Sequence, residues 1–196
     1  MNKKLKEYFE GLGLSVKDNS AYGYFKGFEV SANVRMLDQV APVKIRVNFF
    51  TSFDERTKIL SEIKQFNFKY FTAEIDRYGI KLGFNDPLTV GKLLNRMPEM
   101  LDKIFEVIQK YEVKGKGYCP VCGEELNEEA KAYNIDGYAI TLDNKCMGNI
   151  NNLINMENKE FKDSPNNYLK GALGACIGAI VGIIAYVIIF FIGYVS

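Results

Sequence analysis

The 196-residue sequence contains no histidine. That absence removes the commonest general base at neutral pH, the Ser-His and Cys-His nucleophile pairs, and every histidine-containing metal site. Net charge is also nearly absent: 25 Lys and Arg against 24 Asp and Glu leave +1, which argues against a broad electrostatic footprint for nucleic acid or acidic lipid. The opening, MNKKLKEYFEGLGL, is basic but has no apolar core segment, so no signal peptide is expected to export the body. Cysteine is scarce, with four residues. In a body expected to face the cytosol, these thiols favour metal or redox roles over structural disulfides.

One stretch, Gly171 to Val195, has no charged residue. It is somewhat longer than the ~20 residues that cross a bilayer core, and it reads as a single transmembrane helix within residues 169–195. Lys159, Lys162 and Lys170 precede it and uncharged Ser196 follows. By the excess of lysine, the upstream side is cytoplasmic, with Tyr168 and Tyr194 suited to the two interfaces. The expected layout is a tail-anchored protein of the cell membrane. Gly174, Gly178 and Gly182 recur every four residues, a smooth face on which membrane helices pack, so self-association or packing on another membrane helix is expected there.

Upstream, residues 1–113 read as one α+β domain. Leu5, Tyr8, Phe9 and Leu12 have helical spacing. Tyr22, Tyr24, Phe28, Val30, Ala32 and Val34 alternate around a Lys26-Gly27 turn, and Val43, Ile45, Val47 and Phe49 alternate with Lys44, Arg46 and Asn48. The latter pattern predicts a strand with one buried and one wet face. Ser52 and Glu55 form a capping box for a helix carrying Ile59, Leu60, Ile63 and Phe66. Two strands follow, from Phe68 to Ile75 and from Tyr78 to Phe84, joined at Asp76-Arg77. The ladder from Val90 through Leu94, Met97, Leu101 and Ile104 to Ile108 predicts a last helix, with a kink or fresh start at Pro98. The expected fold is an antiparallel sheet with packed helices.

Residues 114–150 read as a small hairpin module. Cys119-Pro120-Val121-Cys122-Gly123 places two thiols three positions apart, able to grip one metal from a tight turn. Tyr133–Ile135 and Tyr138–Leu142 flank an Asp136-Gly137 hairpin turn. Cys146 then stands alone, with Asn149 three residues later. The metal ligands expected are Cys119, Cys122 and Cys146, with the fourth place open to Asp143, another carboxylate, water or a second chain. Cys176, inside the apolar span, is not expected to serve. Bound zinc, a decayed ribbon that folds without metal, and a CxxC redox couple are the three readings of these thiols. Residues 151–168 read as an Asn-rich linker with a short helical turn or two, stopped by Ser164-Pro165.

CPVCG with the following Glu-Glu-Leu resembles the first knuckle of a zinc ribbon. The order helix, three strands, helix, two strands, helix over roughly residues 1–112 resembles the type III secretion chaperone and its YbjN-type relatives, which would imply a non-enzymatic domain that binds peptide or self-associates. The glycine-laddered span behind a soluble body resembles the first membrane helix of polytopic proteins common in Gram-positive bacteria, of which this chain would be a single-span or shortened version. The function expected is therefore a non-enzymatic, membrane-anchored interaction or adaptor module facing the cytoplasm, with a protein partner or a second copy and no nucleic acid. The rival readings are a membrane-bound thiol oxidoreductase using Cys119 and Cys122, and a zinc-ribbon nucleic-acid binder.

Overall fold

A computed structural model describes residues 1–34, 43–84, 90–163 and 168–191. It divides into two compact units, Met1–Asn149 and Ile150–Ser196. The first contains α1 (Lys3–Gly11), β1 (Ser15–Lys17), β2 (Ser20–Phe25), β3 (Phe28–Val34), β4 (Val43–Asn48), α2 (Phe53–Gln65), β5 (Phe71–Asp76), β6 (Gly79–Phe84), α3 (Val90–Gln109), β7 (Lys131–Ile135) and β8 (Tyr138–Leu142). The second contains most of α4 (Asn144–Asp163) and all of α5 (Tyr168–Phe191).

The α+β expectation holds: six strands form one antiparallel sheet in the order β1-β2-β3-β4-β6-β5, and β7-β8 form a separate hairpin. Alternation decides which side chains face the helices. Val30, Ala32 and Val34 of β3, Val43, Ile45 and Val47 of β4, and Ile80, Leu82 and Phe84 of β6 share the main core with Leu5 and Phe9 of α1, Ile59 and Ile63 of α2 and the inner side of α3. The Lys26-Gly27 turn pairs Phe25 with Phe28, so Tyr22 and Tyr24 lie on the face opposite Phe28 and Val30. The capping box at Ser52 and Glu55 is present. Helix α3 runs through Pro98 without a break. Its buried side chains, among them Met97, Leu101, Ile104, Phe105 and Ile108, offset the loss of one backbone hydrogen bond.

Three expectations change. First, the expected wet face of β4 is largely covered: Arg46 is 1% and Asn48 2% exposed, and only Lys44 stays half-buried. The reason is that β8 lies against β3 and covers this side. Asn33 Nδ2 donates to Gly137 O at 2.6 Å, Ser31 Oγ to Ala139 O at 3.5 Å, and Asn48 Nδ2 to Ala139 O at 3.1 Å. Buried Glu29 accepts from Thr141 N at 3.0 Å, from the Thr141 hydroxyl, from Asn48 Nδ2 at 2.6 Å and from the Tyr22 hydroxyl at 2.8 Å. Glu29, Ser31 and Asn33, every second residue of β3, thus serve Thr141 and Ala139 of β8 and Gly137 of the turn before it. The Arg46 guanidinium sits 5.1 Å from the Tyr78 ring centre and 5.7 Å from that of Tyr138, and donates to Asp76.

Second, the Asn-rich stretch is helical as far as Asp163, since nothing after Gly148 breaks a helix before Pro165. Ser164-Pro165 lie outside the described residues. Third, among the described residues no helix is long and apolar enough to cross a membrane. Helix α5 itself forms, over Tyr168–Phe191. The span expected at Gly171–Val195 therefore gains no support here, and Tyr194, Gly193 and the side chains of Tyr168 and Lys170 lie outside the described residues.

Candidate metal centre

The chain leaves α3 and is pinned at once: Lys114 and Phe50 exchange two backbone hydrogen bonds of 2.9 Å. The CPVCG segment then turns tightly, with Gly123 N donating to Cys119 O and Cys119 N to Glu124 O, both at 2.8 Å. Gly123 is required twice over. Its φ of +73° is left-handed, and a Cβ there would lie 2.4 Å from the Phe50 ring. Lys114 Nζ donates to Gly123 O at 2.9 Å, which locks the knuckle onto the segment that leads into it.

The other half of the site comes from beyond the hairpin. The Asp136-Gly137 turn, with φ of 53° and 83°, reverses the chain as its sequence predicts. β8 then ends at Leu142, and the carboxylate of Asp143 directly after it accepts from Cys146 N at 2.6 Å and so starts α4. This cap sets Cys146 on the first turn, facing the knuckle. One ligand atom each from Cys119, Cys122, Asp143 and Cys146 lies within 4.8 Å of the others. Cys119 is fully buried and Cys146 6% exposed.

The three expected cysteines come together, and of the options for the fourth place it is Asp143 that stands beside them. The geometry is compatible with a small cation: donors ~2.3 Å from a tetrahedral ion sit about 3.8 Å apart, inside the 4.8 Å within which these four atoms lie. The Cys122 thiol donates to Asp143 Oδ2 at 3.3 Å. Burial pushes the Cys122 thiol up, and pushes Cys146 up further, helped by Cys122 and Asp143 beside it. Burial also works to raise Asp143, but the Cys146 N–H and the thiols outweigh it and hold the carboxyl below its ordinary value. Raised thiols are the reverse of what a reactive redox cysteine needs. A divalent cation binding here would have to displace those protons.

Cys176 lies on α5, in the other unit, where it is exposed. Gly174, Gly178 and Gly182 follow one another along α5, and a Cβ added at any of them would meet nothing within 4 Å. The sequence reading missed the residues that dock the hairpin, Glu29, Ser31, Asn33, Arg46 and Asn48. The one available signal was a glutamate directly between Phe28 and Val30 of a buried strand. No family model, curated protein or solved structure matches this chain.

Proposed function

We propose that this chain is a non-enzymatic interaction module, built around a structural zinc ion and held at the cytoplasmic face of a membrane by its C-terminal helix. The observation that carries the reading is the convergence of Cys119, Cys122, Asp143 and Cys146. Four protein ligands with no place left for substrate are the mark of a structural zinc site, whereas catalytic sites keep one position open. The ribbon-like knuckle and the hairpin between the two ligand pairs support the same reading. Zinc would supply charge neutralisation and a fixed tetrahedral node, and no chemistry on a substrate.

The membrane part rests on α5. Leu173, Ile177, Val181, Ile183, Ile184 and Val187 are exposed on successive turns, and the sequence has no charged residue from Gly171 onward. Such a surface is costly in water and favourable in lipid. The upstream lysines favour a cytoplasmic body, and the glycine series favours a second helix, from this chain or a partner, against α5.

The test uses the full chain purified in a mild detergent under reducing conditions. It is expected to hold about one zinc per chain, to give a tetrahedral thiolate spectrum with cobalt(II), and to lose both when Cys119 is replaced by serine. Metal-free protein with unchanged melting would favour the decayed ribbon. In intact cells a thiol reagent is expected to reach a cysteine placed at exposed Lys58 only after permeabilisation; labelling from outside would reject the cytoplasmic assignment.

A further inference from the structure

The hairpin β7-β8 rests on the sheet through an unusual interface. Most of its polar contacts with β3 and β4 run through side-chain amides, hydroxyls and the Glu29 carboxylate to the backbone of Gly137, Ala139 and Thr141, beside the Thr141 hydroxyl on Glu29 and the Arg46 guanidinium against the Tyr138 ring. Ile140 and Leu142 are buried, but neither belongs to the main core among the described residues. A two-stranded hairpin is marginal by itself. Hydrogen bonds exchanged for water each contribute little net stability, and a buried carboxylate costs solvation unless all its donors arrive together. The polar layer is therefore well ordered once the hairpin is down, yet weak at bringing it down.

The metal centre sits where it can supply what is missing. Cys119 and Cys122 stand just before the hairpin on a knuckle fixed to the body through Phe50 and Lys114. Asp143 and Cys146 stand just after it, Asp143 following directly on Leu142 of β8. A cation bridging the two pairs ties both ends of residues 123–142 to one point. We infer that the metal acts as a clamp whose removal releases β7-β8 from the sheet and opens the polar face of β3 and β4, lined by Glu29, Ser31, Asn33, Arg46 and Asn48. This rests on the metal reading above and adds a regulated element to it. Metal occupancy and hairpin docking are linked, so each strengthens the other by the same factor.

The linkage is what makes the clamp testable at a distance. Asn33 is not a ligand and lies on the sheet, yet it donates to Gly137 at the hairpin tip. Asn33→Ala removes that bond and, through linkage, weakens zinc binding by about fivefold, within the range that a single hydrogen bond allows. Ser61→Ala, which removes a hydroxyl bonded within α2, leaves zinc binding unchanged.

The direct measurement is hydrogen exchange on the full chain in detergent, before and after zinc is stripped by a chelator with reductant present. The Thr141 amide, which donates to Glu29, is expected to exchange at least about tenfold faster without metal, while Ile104 in α3 keeps its rate. Recovery on adding zinc back completes the expected result. Zinc lost with Thr141 unchanged overturns the clamp and leaves the metal site standing. Equal acceleration at Thr141 and Ile104 also overturns it, since the metal would then hold the whole unit together. A chain that binds no zinc overturns the metal reading and the clamp with it.

Discussion

Asp143 has two tasks that pull toward the same geometry. As the residue preceding α4 it accepts from Cys146 N, and as a carboxylate it stands among three thiols. Asparagine caps a helix about as well as aspartate but cannot offer an anionic ligand. Asp143→Asn is therefore expected to weaken zinc binding by more than about tenfold, measured by chelator competition, with little loss in the metal-free protein's melting temperature. Asp143→Ala is expected to lose metal and about 1 kcal/mol of stability besides. Gly123→Ala tests the knuckle: its left-handed φ and the Phe50 ring 2.4 Å from the new Cβ predict a loss of about 2 kcal/mol or more in denaturant unfolding. At the sheet, burial tends to raise the Asp76 carboxyl, while the Arg46 hydrogen bond and charge, the Tyr78 N–H and Lys81 prevail and leave it low. A carboxyl lowered in the folded state stabilises above its unfolded value, near 3.9, and loses that contribution as pH falls through its folded value. Acid unfolding of Asp76→Asn should accordingly depend less on pH below about 4.

Among the elements, those with a strong period were the easiest to read. The α3 ladder, the capping box before α2 and the turns at Lys26-Gly27 and Asp136-Gly137 stand where their residues place them, because each rests on contacts within one turn or between adjacent strands. Short or unperiodic segments were harder. β1 has three residues and too little pattern to detect, and α4 extends through asparagines that disfavour but do not forbid a helix. Helix α5 raises a question of its own. A Cβ added at Gly178 meets nothing within 4 Å, so a loss on substitution there would point to another helix. Gly178→Ile is expected to weaken association of α5 in a bilayer by about 1 kcal/mol, read by energy transfer, while Gly193→Ile changes little. Equal signals for both would withdraw self-association through the glycines.

At the scale of the whole molecule, the sequence by itself determined the α+β class, the strand and helix faces of the main core, the thiols at 119, 122 and 146, and the hairpin between them. These follow from local chemistry: side-chain period, turn residues, and a short spacing that brings two sulfurs to one point. Only the tertiary structure decided that Asp143 completes the set and that Glu29, Asn33, Arg46 and Asn48 lie beneath β8 rather than in water. Those facts depend on where a hairpin about a hundred residues further along the chain comes to rest on β3, and no local pattern encodes that. A polar residue on an alternating strand looks the same whether it faces solvent or another strand's backbone. What distinguishes the two is the covering layer, and burial with every donor matched to an acceptor is a property of the assembled fold.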